Sequence, residues 1–154
     1  MDDLNKEDLV ASFDYTGKLV PAVRVNFTGK WTPSARRYHA YREDLTRAII
    51  KQNKDLIPVI PPTAQKTQYN KWLKEVRAIR YYVSIHITLV KDVGDVDNYM
   101  KGIMDSLQKT RLIHNDKQIR TVYCDIRVDP TRDEDYLMVS VYKKGTNENG
   151  TNRA

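Results

Sequence analysis

Between residues 81 and 109 the hydrophobic pattern changes period, and that change restricts what this chain can fold into. In YYVSIHITLV (81–90), Val83, Ile85, Ile87 and Leu89 fall on one side and Ser84, His86 and Thr88 on the other, the alternation of a β-strand. Six residues later, VDNYMKGIMDSLQK places Tyr99, Met100, Ile103, Met104 and Leu107 in a stripe at helical spacing. Asp97, Lys101 and Asp105 repeat every four residues along another face. QIRTVYCDIRVD and YLMVSVYKK then read as two further strands joined by the polar turn region DPTRDED. A chain with both periodicities buries a sheet face against helix stripes. The expected class is therefore α/β (α+β): a single domain with a mixed β-sheet of four or five strands, helices packed on it, and an acidic strand-to-helix junction.

Upstream, AVRVNFT (22–28) alternates like a strand, and Gly29 and Pro33 punctuate its exit. With Ser34 as N-cap, the following run predicts an amphipathic helix with Tyr38, Tyr41, Leu45, Ala48 and Ile49 at helical spacing and Arg47, Lys51 and Lys54 on another side. The three prolines of IPVIPPT end it. A second helix follows, its stripe of Tyr69, Trp72, Leu73 and Val76 facing the core and Lys71, Lys74 and Arg77 lying away from it. Arg47, Lys51, Lys71, Lys74 and Arg77 are candidate DNA-phosphate contacts. For each, a solvated face is the competing reading, with Glu43 a natural partner for Arg47. Trp72 is kept as a DNA-contact candidate beside its reading as core.

The 154 residues suffice for one core but not two. Residues 1–16 carry five acids against Lys6, a local charge of −4, so the remaining chain holds +10 of the net +6. We divide the chain into an acidic N-terminal segment (1–16), a domain (17–144) and a polar tail expected to be disordered (145–154). A surface this basic favours a polyanion, because each phosphate neutralised releases counterions. No apolar run approaches the roughly 18 residues that span a bilayer, and MDDLNKEDLV lacks the basic start of a signal peptide. The expected location is the cytoplasm, with no membrane partner. The single cysteine, Cys124, lies in a strand-like run and reads as a buried, inert thiol.

Asp95 and Asp97 flank Val96 between the clearest strand and a helix. In extended backbone, residues i and i+2 point the same way, so both carboxylates can face one cation. Hard oxygen ligands of this kind suit Mg²⁺, which keeps several waters and takes further ligands from phosphate. A lone D-x-D is also what a helix cap and a loop acid look like. Lys101 lies one turn beyond Asp97, where an ammonium can stabilise charge on a phosphoryl transition state, or can pair with Asp97 or Asp105. Asp116, in HNDKQI before a strand, is a third carboxylate that a loop could return to the same sheet end. Asp105 lies roughly 12 Å along the helix from Asp97 and reads as a helix-organising partner. Asn98 either orients a metal ligand or supports the helix start. His39, His86 and His114 show no metal-ligand spacing.

The run DVDNYMKGIMDSLQKTRLIHNDKQI (95–119) resembles the signature of the RusA family of endodeoxyribonucleases, R-D-x-D-N-x-x-K-x-x-x-D-x-L followed by D-D-x-Q-[IV]. Asp95, Asp97, Asn98, Lys101, Asp105, Leu107, Asp116, Gln118 and Ile119 match in order and spacing. Two positions depart: Gly94 stands where a basic residue is often found, and Asn115 replaces the first acid of the D-D pair. The resemblance implies a homodimer that resolves Holliday junctions and other branched DNA by paired symmetric cuts, with Mg²⁺ (or Mn²⁺) held by Asp95, Asp97 and Asp116 and with Lys101 at the phosphate. It also implies a role in recombination and repair, or in processing phage DNA. Two other classes compete with it. A nucleotide-sugar transferase also uses D-x-D but needs a larger fold, and a non-catalytic accessory protein would bind branched DNA through the basic helices alone.

Overall fold

The computed structural model of the chain describes residues 8–23 and 32–144. The elements run β1 (Leu9–Thr16), α1 (Pro33–Gln52), α2 (Lys66–Ala78), β2 (Tyr81–Leu89), α3 (Val96–Lys109), a 3-10 turn (Asp116–Gln118), β3 (Ile119–Val128) and β4 (Tyr136–Lys143). Among the described residues the four strands make one mixed sheet in the order β1-β4-β2-β3. β4 is antiparallel to both β1 and β2, while β2 and β3 are parallel and connected through α3. This is the single α+β domain with a mixed sheet and packed helices that the two periodicities imply.

The odd-numbered residues of β2 and β4 supply the floor of the core. Val83, Ile85, Ile87, Leu89, Leu137, Val139 and Val141 are all buried, with Ala11 and Phe13 extending the floor on β1. Onto it pack Tyr38, Tyr41, Leu45 and Ile49 of α1 and Tyr99, Ile103 and Leu107 of α3. Each large side chain so buried contributes about 1.5–3 kcal/mol of transfer free energy. α1 packs against β1 and α3, and α3 against β3, so the two helices lie side by side on one sheet face.

Three local features differ from the sequence expectation. Thr32, not Ser34, caps α1: its hydroxyl accepts from Ala35 N at 3.2 Å and Pro33 takes the first helical position, where a missing N–H costs nothing. Residues 9–16, grouped with the acidic N-terminal segment, form the edge strand β1. Its exposed edge is covered by side-chain amides at the end of α1, where Gln52 exchanges two hydrogen bonds with the Asp14 backbone and buried Asn53 accepts from Ser12 N. The strand expected at 22–28 is not present at residues 22 and 23, and its remainder, like the expected tail, lies outside the described residues.

Candidate active site

The loop from β2 to α3 positions the first two acids. Asp135 ties the end of β2 to the segment after β1: its carboxylate accepts from Val90 N at 2.8 Å and from Leu19 N at 3.0 Å. The buried Tyr99 donates its hydroxyl to Val93 O at 2.5 Å, fixing the loop from the helix side. Gly94 then turns the chain at φ +80°, and a Cβ there would meet Tyr99 at 3.0 Å and Pro21 at 3.1 Å. A side chain at this position would be strained by the left-handed backbone and would press on Tyr99 and Pro21.

Asp95 is the N-cap of α3, yet its side chain makes no capping hydrogen bond, and Asp97 sits in the first turn. Both are exposed, and neither carboxylate has a hydrogen bond or ion pair among the described residues. The capping explanation of this D-x-D is thereby removed. The helix begins at Val96, so Asp97 is in helical and not extended backbone, and the expected alternation that would turn both carboxylates the same way does not apply. Each is an exposed carboxylate at a helix N-terminus, where the dipole favours negative charge. Lys101 is exposed one turn along and forms no ion pair with Asp97 or Asp105 among the described residues. Asn98 hydrogen-bonds through its backbone, accepting from Ala22 N and donating to Asp95 O.

Asp116 lies at the other end of the sheet. β3 is parallel to β2, so the turn preceding Ile119 sits beside Tyr81, whereas Asp95 follows Leu89. Asp116 N donates to Gln108 Oε1 at 3.2 Å, near the C-terminus of α3. Gln108 is roughly 16 Å along the helix axis from Asp97 at 1.5 Å per residue. Within one chain the three acids do not converge, and among the described residues no group of three or more His, Cys, Asp or Glu side chains is placed to hold a metal. The expectation that a loop returns Asp116 to the same sheet end is corrected by this topology: α3 carries the chain back along the full length of β2 before β3 begins.

Sequence reasoning found Gln118 but not its role. It is 4% exposed and donates Nε2 to Val76 O at 2.6 Å and to Ile79 O at 3.0 Å, binding the end of α2 to the start of β3. Its Oε1 accepts from Asn115 N, while Asn115 accepts from Lys117 N, a closed capping box. The substitution at Asn115 thus keeps a cap residue.

The candidate DNA contacts are divided between the two sides of the molecule. Arg47 is ion-paired to Asp44 rather than Glu43, and with Lys51 it lies on the helix beside the β1 edge. Lys71, Lys74 and Arg77 are exposed on α2, whose C-terminal end is tied to the start of β3 through Gln118. The α2 stripe expected in the core is only half-buried: Tyr69, Trp72 and Val76 line an apolar cavity of about 360 Å³ with Leu112 and His114, whose ring meets Trp72 edge-on at 5.8 Å. His39 is exposed on α1, and His86 lies 3.0 Å from Asp125 on the opposite sheet face. The Cys124 thiol is half-buried, and burial, with Asp125 beside it, pushes its pKa up to about 11, so it is a poor nucleophile.

The model of the family Endodeoxyribonuclease RusA matches residues 16–141. The chain belongs to the RusA family. A RusA chain is an endodeoxyribonuclease by family, and membership implies Holliday junction resolvase activity that is generally dependent on divalent metal. No curated protein matches the chain. Among solved structures it is similar to 2C-methyl-D-erythritol-2,4-cyclodiphosphate synthase in a form bound to CDP, at 15% identity over 86% of this chain and 97% of that one, with a TM-score of 0.28. Another structure of that synthase gives the same identity and coverage with a TM-score of 0.29. Likenesses of this degree establish no structural equivalence. No helix of the described residues is long and apolar enough to cross a membrane.

Proposed function

We propose that this RusA chain acts as a homodimeric, divalent-metal-dependent resolvase of Holliday junctions and related branched DNA, cutting two strands symmetrically. The observation that supports it is the uncommitted carboxylate pair Asp95 and Asp97, standing free at the start of α3 with Lys101 one turn beyond. These donors suit Mg²⁺, or Mn²⁺ in its place. Such a cation lowers the pKa of a coordinated water and polarises a phosphate oxygen. The chain's own part is to hold the two carboxylates at the N-cap and first turn of α3 and to set the Lys101 ammonium against the scissile phosphate as negative charge grows there. Hydrolysis adds water at phosphorus and breaks the bond to the 3′ oxygen, leaving 5′-phosphate and 3′-hydroxyl ends.

Asp116 enters this scheme from a second copy. β3 is an edge of the sheet. Pairing it antiparallel with its copy across a two-fold axis would set Ile119 of one chain toward Val128 of the other. The turn bearing Asp116 would then approach the end bearing Asp95 and Asp97 of the partner, and two composite sites would serve a substrate that is itself two-fold symmetric.

Cleavage of a labelled mobile four-way junction, beside linear duplex, tests the reading with Mg²⁺, Mn²⁺ or EDTA. Asp97→Asn and Asp116→Asn should each abolish paired cutting while retaining junction binding. An equimolar mixture that exchanges subunits should regain nicking at about a quarter of the wild-type site number, since half the dimers carry one intact composite site. Binding without cutting by wild type under every metal would instead support the accessory-protein reading.

A further inference from the structure

The end of the sheet opposite Asp95 carries a second recess, which the metal chemistry does not use. Arg77 and Arg80 from the end of α2, His114, Asn115, Lys117 and Gln118 from the turn, and Arg120 from β3 line a pocket of about 230 Å³. None of the four cations Arg77, Arg80, Lys117 and Arg120 has an ion pair among the described residues. The lining brings these four cations together and contains no carboxylate, with Asp116 next to Lys117 in sequence. Clustered unpaired cations cost free energy unless an anion joins them.

The recess is also pre-organised. Its floor is the capping box of Asn115 and Gln118, and Gln118 locks α2 against it through Val76 O and Ile79 O. Arg80 is half-buried and spends only Nη1 on the chain, donating to Arg77 O at 2.6 Å and Ile79 O at 3.1 Å. Nη2 and Nε remain for a ligand, in the planar fork that suits phosphate oxygens. A rigid cationic recess of this size, beside an acid that the family pattern marks as catalytic, fits a phosphodiester group.

We propose that this pocket holds a backbone phosphate of the DNA substrate, with Arg80 and Arg120 as its principal contacts, so that each chain grips the strand beside Asp116. The inference rests on the resolvase reading. Its test uses the full-length protein carrying Asp97→Asn, so that the junction stays intact, and follows junction affinity by anisotropy over a series of salt concentrations. Arg80→Gln with Arg120→Gln should weaken binding and lower the log–log salt slope by about 1.8 per bound dimer, about 0.9 for the one B-DNA phosphate lost in each chain. The Arg80→Lys/Arg120→Lys pair should keep the slope, which separates lost charge from lost fold. Arg132→Gln removes one charge at the far end of the sheet and should leave the slope unchanged. If the double Gln variant keeps the wild-type slope, the pocket holds no phosphate and this inference alone falls, provided wild type binds and cuts the junction. If wild type binds no DNA, the resolvase reading falls and takes this inference with it.

Discussion

The two ends of the sheet are built to opposite specifications. At the end where β2 finishes, Asp92, Asp95, Asp129, Asp133, Glu134 and Asp135 gather on loops with Asp97 in the first turn of α3, and the carboxylates of Asp95 and Asp97 have no partner among the described residues. At the end where β3 begins, Arg77, Arg80, Lys117 and Arg120 surround a turn in which Asn115 and Gln118 are committed to hydrogen bonds. One end offers free oxygen donors and the other free cationic donors. A single chain keeps them apart by the length of α3, and the proposed antiparallel pairing of two chains across a two-fold axis would bring them together.

The largest effect expected from breaking this contrast is on chemistry at the acidic end. On the proposed reading Asp95→Asn or Asp97→Asn should lower the rate of junction cutting at least about 100-fold, because each would remove a proposed direct ligand and even supporting residues of metal sites cost about 10–100-fold. Lys101→Ala should cost about 100- to 1,000-fold in the cleavage rate, the scale of removing one transition-state donor, with junction affinity little changed. Single-turnover cleavage under saturating enzyme distinguishes these losses from weaker binding. An unchanged rate in Lys101→Ala would return this residue to a solvated helix face.

Next in size is a change at the basic end, where the corresponding residues hold structure. Gln118→Ala removes one of two donors from Val76 O, which keeps Ile79 N, and one of two from Ile79 O, which keeps Arg80 Nη1, and it opens the capping box. A loss of roughly 1–3 kcal/mol is expected, from the hydrogen bonds lost at about 0.5–1.5 kcal/mol each. The urea midpoint reads it directly. A fall in cutting at full stability, with the midpoint unmoved, would instead place Gln118 at the substrate.

Gly94→Ala sharpens the same contrast from the acidic side. The left-handed backbone at φ +80° and the close approach of Tyr99 and Pro21 leave an added methyl strained, at about 1–3 kcal/mol. Thermal unfolding measures the cost. Because the strain falls on the residue preceding Asp95, cleavage should drop more than stability alone explains.

Much of this was legible before the coordinates, for identifiable reasons. The bounds of α3, residues 96–109, follow from a stripe with four-residue repeats on its polar face. β2, β3 and β4 follow from alternation over eight or more residues each. β1 has alternation as well, in Ala11, Phe13 and Tyr15, but treating residues 1–16 as one acidic block concealed it. The placement of Asp116 was not legible. Spacing along the chain says that Asp97 and Asp116 are 19 positions apart; it does not say that a helix between parallel strands carries the second to the opposite end. Nor does any motif announce Asp135, whose role depends on bonds to Leu19 and Val90, far from it in sequence.

The smallest effect concerns Asp129, an acid at the same end as Asp95 that differs from it in having partners. The Thr131 hydroxyl at 2.5 Å and the Thr131 N–H at 3.0 Å donate to its carboxylate and hold its pKa below the ordinary carboxylate range. Its folded form therefore takes up a proton less readily than its unfolded form. The resulting stability is fully present above the unfolded value and is lost as pH falls through the folded one, in the acid region below about 4. Asp129→Asn should flatten this part of the acid limb in urea titrations and leave stability near neutrality almost unmoved, since the group is fully exposed.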